Sequence, residues 1–303
     1  MREYLIIKAI GVLKQHGFDV STFSHSNTCF DLVANAYGER FVIKVYENVD
    51  GIRLEQAQEL KRVASAFDAS AIIVGMKTKV YVLKDDILYN RYSIPVLTLN
   101  AFANVLEDKM PEKKFFKGKI TVPLNSEKIR NRRQELGLSL EGLADKIGST
   151  PESIHRYEKG HPASLEIAEK LEKTLKSDLI ESRNIFEKPD KEELFDSTFE
   201  DSALEKLSNL GMKIAEFTKA PFKAYSEPKE PLVIHRVQYR VEMKKAVEDA
   251  KKIRSTFNSE AFIVAKGFRK KSIDDIPIVD EEDLESFSRP KDLVKEIRKR
   301  KDE

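Results

Sequence analysis

Apolar positions along the first 110 residues change period several times. Leu5, Ala9, Val12, Leu13 and His16 recur at helical spacing and Gly17 offers a stop, so the opening MREYLIIKAIGVLKQHGF predicts an amphipathic helix. Lys8 interrupts its apolar run and no small-residue cleavage site follows, which argues against a leader peptide. An alternating stretch comes next at 19–23. FDLVANAY (30–37) and RFVIKVYE (40–47) then read as strands joined by a tight turn at Gly38-Glu39. Leu54, Ala57, Leu60, Val63 and Ala64 predict a helix over 52–66, and SAIIVG (70–75) is short and continuously apolar, as a buried strand is. A strand or strand-like loop at 79–84, a strand at 94–99 and a helix at 100–107 complete an α/β plan with a mixed sheet.

The pattern is helical again in LSLEGLADKIGSTPESIHRYEKG (138–160). Leu143, Ala144 and Ile147 lead into Gly148, where that helix must stop. Ser149 and Thr150 can cap a second helix and Pro151 suits its first turn; Ile154 and Tyr157 mark its inner side. Two short helices joined by a few residues are the geometry that lays a second helix into a DNA major groove.

Either side of this module the pattern lapses. KMPEKKFFKGK (109–119) has five lysines, Pro111 and Gly118, and predicts a basic linker over 109–123; SRNIFEKPDKEELFDST predicts another over 183–198. The remaining 199–303 then repeat the plan of 1–108. KLSNLGMKIAEF (206–217) matches 12–23, PLVIHRV (231–237) matches RFVIKVY, 244–267 match the second helix and its strand, and IPIVDEEDLESF (276–287) matches IPVLTLNAFANVL. Four blocks in one order predict a duplicated fold. In the second copy the place of Lys44 is taken by His235, expected to be a partly buried, hydrogen-bonded residue rather than a base, and Pro228 to Pro231 replaces the hairpin.

Composition narrows the classes. With 303 residues the chain is long enough for two or three domains, and 34% charged against 41% hydrophobic residues describes a soluble globular surface. One cysteine, Cys29, excludes a disulfide framework and any multi-cysteine metal site, and fits a reducing cytoplasm. No run of eighteen apolar residues predicts a membrane span, and nothing predicts a cofactor. The net charge of +2 means that affinity for a polyanion must come from local basic patches. Lys266 to Lys271 and the tail KDLVKEIRKRKDE are such patches, read either as solvated faces or as phosphate contacts.

KIRNRRQELGLSLEGLA, KIGSTPESIHRYEKG and SLEIAEKLEKTL together make 124–182 resemble the five-helix lambda-repressor/Cro (XRE) family. Its first three helices would cover about 126–135, 140–147 and 151–158, with two more from about 164 onward. The resemblance implies a structural ion pair between Arg133 and Glu158. It also implies base contacts from Pro151, Glu152, Ser153 and Arg156, and phosphate contacts from Ser149, Thr150, Lys159 and the helix N-terminus. Many members have Gln where this chain has Leu140, so their phosphate clamp at the second helix is missing.

Asp31 in the second strand and Lys44 in the third make 1–108 resemble the restriction-endonuclease-like (PD-(D/E)XK) fold, whose second acid would fall at Val42. That departure implies a degenerate nuclease with Asp31 and Lys44 vestigial and no metal held, since hard cations want several oxygen ligands. Glu39, Glu47 and Glu55 are the candidates for a displaced acid, and Gln56 and Gln58 for an active-site amide. The whole plan is an all-α helix-turn-helix between two α/β restriction-endonuclease-like domains related by duplication. It resembles a family of archaeal proteins named as HTH-type transcriptional regulators. The resemblance implies a non-enzymatic, cytoplasmic, nucleoid-associated reader of double-stranded DNA, expected as a homodimer, with flanks that could also take an effector. A metal-dependent endonuclease using Asp31 and Lys44, or a nucleoid or repair-associated DNA binder, are the rival classes.

Overall fold

The computed structural model describes every residue except 24–27, 112, 117–118, 181–185, 187, 190–193, 228–230 and 302–303, and, within strands, the side chains of 116, 119 and 120. The chain divides into two compact units. One comprises Met1–Val45, Gly51–Ile72 and Glu187–Glu303, the other Tyr46–Asp50 and Ile73–Phe186. Both ends of the chain thus belong to a single unit.

In the first unit helix α1 (Arg2–Gln15) buries Leu5, Ile6, Ala9 and Leu13. Strands β1 (Asp19–Thr22), β2 (Leu32–Ala36) and β3 (Glu39–Asn48) form an antiparallel meander. Ala36 pairs with Glu39, so the two turn residues are Tyr37 and Gly38, both at positive φ, one residue earlier than the sequence predicts. That is the backbone a two-residue hairpin of matching twist requires. Asp31 lies just before β2 rather than within it. Helix α2 (Leu54–Ala66) leads to β4 (Ser70–Lys77).

The second unit takes the ends of β3 and β4 and adds β5 (Ile87–Arg91), β6 (Ile94–Leu97) and α3 (Leu99–Leu106). Strand β6 runs parallel to β4 and antiparallel to β5. Of the strand and the strand-like loop left open at 79–84 the chain forms the loop, because the Thr78 hydroxyl accepts from the Val80 and Tyr81 amides and diverts the chain. Val80 and Val82 are exposed.

The expected basic linker is largely a hairpin of this unit. Strands β7 (Lys113–Phe116) and β8 (Lys119–Val122) pair antiparallel, β7 also runs parallel to β5, and β8 pairs with β9 (Ala163–Ser164). Phe115 packs on the rings of Tyr81 and Tyr89, at 5.3 and 5.6 Å. Lysines masked the strand pattern; their charge stays at the surface, as where Lys113 meets Asp86 at 2.9 Å. Lys117 and Gly118, and most of the second expected linker, lie outside the described residues.

Helices α4 (Ser126–Glu135), α5 (Leu140–Ile147), α6 (Pro151–Tyr157) and α7 (Leu165–Leu175) gather around Ile129, Leu143, Ala144, Ile147, Ile154 and Leu171. Four helices, not five, are present among the described residues of this module.

The first unit resumes with α8 (Ser202–Asn209), β10 (Ile214–Glu216), β11 (Ala224–Ser226), β12 (Leu232–Val237), α9 (Met243–Phe257), β13 (Glu260–Ala265), β14 (Ser272–Ile273), β15 (Ile276–Asp280) and α10 (Pro290–Lys301). The sheet order is β10-β11-β12-β13-β15-β14, antiparallel at both ends and parallel across β12, β13 and β15. Its hydrogen-bond register repeats that of the first meander. Phe23 donates to Asp31 and Asp31 to Ile43; Phe217 donates to Lys223 and Lys223 to Ile234. Lys223 therefore stands in the place of Asp31, and His235 in that of Lys44. Helix α8 is six residues shorter than α1. No helix among the described residues is long and apolar enough to cross a membrane.

Candidate nucleic-acid interface

Helix α5 ends because Gly148 takes a left-handed conformation that lets the Ser149 amide return to the Ala144 carbonyl at 2.9 Å. Thr150 then caps α6, accepting from the Ser153 amide at 3.2 Å and donating to the Ser153 hydroxyl at the same distance. Pro151 occupies the first helical position, where it has no amide hydrogen to lose. Buried Ile154 keys α6 to the core, so the opposite face must point outward.

On that outer face Glu152 and Arg156 are both exposed and lie four residues apart, side by side on one stripe. No ion pair or hydrogen bond of the Arg156 guanidinium occurs among the described residues, leaving its fork free. Pro151 and Ser153 are half-buried, and Ser153 is already engaged with Thr150. Of the phosphate candidates Lys159 is exposed, Ser149 is half-buried and the Thr150 hydroxyl is the helix cap. Exposed His155 shares the stripe with Glu152 and was not singled out from sequence; its place three residues after Glu152 was the available signal.

Arg133 fixes the direction of α6. Its Nε and Nη2 reach the two oxygens of Glu158 at 2.6 and 3.1 Å, while Nη1 donates to the Leu138 carbonyl at 2.9 Å. One planar group thus ties α4, the turn before α5 and the end of α6. Glu158 is only 6% exposed, and the bond to it raises the Arg133 pKa further. Leu140, where relatives of this module place a phosphate clamp, packs on the core instead.

The nuclease-like centre lies in the first unit and is closed. Asp31 is fully buried; one oxygen meets Arg2 Nη2 at 2.5 Å and Lys44 Nζ at 3.1 Å, and the other accepts from the Val45 amide at 2.8 Å. Lys44 also donates to the Thr28 carbonyl at 2.5 Å. Burial pushes the Lys44 pKa down, and Asp31 beside it opposes that shift. The second acid's position is the buried side chain of Val42. A divalent cation needs several oxygen ligands, and this centre offers one carboxylate already holding two cationic groups, so it does not fit a metal. Among the described residues no three His, Cys, Asp or Glu side chains gather to hold one.

Glu47 is paired with Lys77 at 2.9 Å, and Glu55, largely exposed, lies 3.5 Å from Lys219. The buried acid of α2 is Glu59, which sequence did not single out; it accepts from the Thr218 and Lys219 amides at 3.2 and 3.4 Å. Arg2 was likewise missed, since nothing in its helical pattern says that its guanidinium reaches Asp31.

In the later part of this unit the corresponding space is open. His235 lines a cavity of about 510 Å3 with Phe222, Arg236 and Asp249. Helix α8 is shorter than α1, and its cap residue Asp201 lines this cavity. Contrary to expectation the buried imidazole is not fully hydrogen-bonded: its Nε2 has no partner among the described residues. Burial pushes its pKa down to about 3, which keeps it neutral.

These two geometries agree with comparisons to known proteins. Residues 2–111 match the model of a PD-(D/E)XK superfamily domain, and 129–181 match a helix-turn-helix model. A protein of Archaeoglobus fulgidus is 30% identical over 96% of each chain, one of Methanothermobacter thermautotrophicus 34% identical over 75% of this chain and 71% of its own, and one of Thermoplasma acidophilum 29% identical over 99% and 98%. Each bears the name "Putative HTH-type transcriptional regulatory protein". The chain belongs to this family of HTH-type transcriptional regulatory proteins, with a helix-turn-helix and a restriction-endonuclease-like domain in one polypeptide. No solved structure matches it significantly.

Proposed function

We propose that the chain is a sequence-specific DNA-binding transcriptional regulator that acts as a homodimer and does no chemistry on DNA. The observation that carries this reading is the outer face of α6, where Arg156 has a free guanidinium beside exposed Glu152 on a helix whose direction Arg133 and Glu158 fix. Arg156 can fork onto guanine O6 and N7, and Glu152 can accept from cytosine N4. Pro151 and Ser153 approach the same base edges through short contacts; Ser149, Thr150 and Lys159 face phosphates and set register. The names of the relatives support the same class.

One recognition helix with so few base-reading side chains specifies only a few base pairs. Two helices on a symmetry axis read half-sites about 34–36 Å apart, so the operator is a palindrome with that spacing. The non-enzymatic reading is supported by Asp31, whose oxygens Arg2, Lys44 and the Val45 amide already take up. The flanking α/β halves, on this account, are one fold used twice. The repeated register at Asp31 and Lys223 supports that duplication.

The test is selection of binding sites from a random duplex library, followed by light scattering of the purified complex. The account expects a palindromic consensus bound by two chains. A monomer that stays one-to-one on its selected site contradicts the dimer, and a library that yields no consensus contradicts the regulator.

A further inference from the structure

We propose that the outer face of α10, together with Lys213 across a groove from it, is a second DNA-binding surface that grips phosphates without reading sequence. This rests on the DNA-binding function proposed above and adds where much of the affinity resides. The helix-turn-helix over 124–180 carries ten Lys and Arg against ten Asp and Glu, so it has no net field to draw in a polyanion. Helix α10 has six cationic residues against two acids.

The positions of these cations separate structural ones from available ones. Arg300 bonds Glu296 at 2.8 Å and Lys301 reaches Glu260 at 3.1 Å. Leu293 and Ile297 are buried and anchor the helix to its sheet. Lys291 and Lys295 remain exposed four residues apart, side by side along the helix. Lys213, exposed, lines the same groove, and no ion pair of Lys213, Lys291 or Lys295 occurs among the described residues. The two lysines stand about 6 Å apart along the axis at 1.5 Å per residue, enough to meet two successive phosphates of one strand.

The groove encloses about 910 Å3 and its floor includes Met212, Leu232 and Val294, an apolar surface suited to sugar rings. No aromatic side chain lines it among the described residues, and its charged lining is three lysines and two arginines against Glu227 and Glu260. Protein-binding patches favour aromatic anchors and are poor in lysine, so a polyanionic backbone suits this surface better than an acidic protein segment. Glu260 in the lining is already neutralised by Lys301.

The experiment measures binding of the full chain to its selected site and to random duplex at several salt concentrations. It compares wild type with the Lys213→Glu/Lys291→Glu/Lys295→Glu variant and with a Gln version that adds no repulsion. Affinity for both DNAs should fall together, and the slope of log K against log salt should shrink by about 2–3, at about 0.9 per lost phosphate contact. Both variants should melt like wild type, since Leu293 and Ile297 are untouched. Unchanged slopes and unchanged affinity for random duplex overturn the proposal, whatever happens at the selected site. Wild type that binds random duplex but prefers no site contradicts the regulator instead, and the slope still decides the role of α10.

Discussion

Phe67 and Phe257 stack on each other, ring centroids 4.5 Å apart and planes 28° from parallel. Each stands at the end of its helix, α2 or α9, and each is followed by a residue in the left-handed conformation, Asp68 or Asn258. A residue that meets its own counterpart marks a two-fold axis. The flanking contacts repeat about it: Arg62 lies over the Phe217 ring at 5.7 Å and Lys252 over the Phe23 ring at 5.5 Å. The proposed duplication thus gives an internal pair inside one polypeptide. Phe67→Ala and Phe257→Ala should each destabilise the first unit by about 3–5 kcal/mol. Because the two rings share one contact, the double variant should cost less than the two single costs together. Urea denaturation followed by tyrosine fluorescence measures all three.

The Arg133–Glu158 pair should matter more for orientation than for folding. Arg133→Ala leaves nearly buried Glu158 with only Arg130, 3.8 Å away, as a cationic partner, a change of about 3 kcal/mol. The double variant Arg133→Met/Glu158→Leu should recover most of the stability, because no charge is stranded. It should still bind its site weakly, since the angle of α6 is no longer fixed. Thermal melting and site affinity, measured on the same samples, separate the two effects.

His235 makes stability depend on acidity. The unfolded chain binds a proton on this imidazole below about pH 6.5, whereas the folded chain declines it until about pH 3. Between those values stability falls as pH falls, by about 1.4 kcal/mol per unit, and the drop from pH 7 to 5 is about 2 kcal/mol. Glu59 works the other way, because burial raises its carboxyl pKa and the folded chain takes up that proton first. Denaturation of wild type and His235→Gln across pH 5 to 7 isolates the histidine: only wild type should carry its share of the slope.

Lys44 should act as a structural residue. Lys44→Ala removes a cation from fully buried Asp31 and a donor from the Thr28 carbonyl, which should cost about 2–3 kcal/mol. Supercoiled plasmid incubated with Mg2+ or Mn2+ should stay intact with either protein. Cleavage by wild type that Lys44→Ala abolishes would establish the endonuclease.

Much of this was legible in the sequence, for physical reasons. Gly148, Thr150 and Pro151 set the turn and cap of the helix-turn-helix locally, and the pairing of Arg133 with Glu158 followed from the family pattern. The β-branched core of β4 was equally plain. Features that depend on distant partners were hidden. Lysines obscured β7 and β8, whose strand character comes from pairing with β5 and β9. Nothing near Arg2 indicates that it meets Asp31, 29 positions away, and Val80 and Val82 left strand and loop both open where a Thr78 turn exposes them.

Genome-wide footprinting of the full chain, wild type against Arg156→Ala, tests the central claim most directly. Arg156 is free on the outer face of α6, so losing one bidentate base contact should weaken binding at the selected site by about 1–3 kcal/mol and leave random duplex unaffected. The account predicts a few sharp palindromic footprints in wild type that fade in Arg156→Ala. Broad occupancy without sharp sites, unchanged by the substitution, would contradict it.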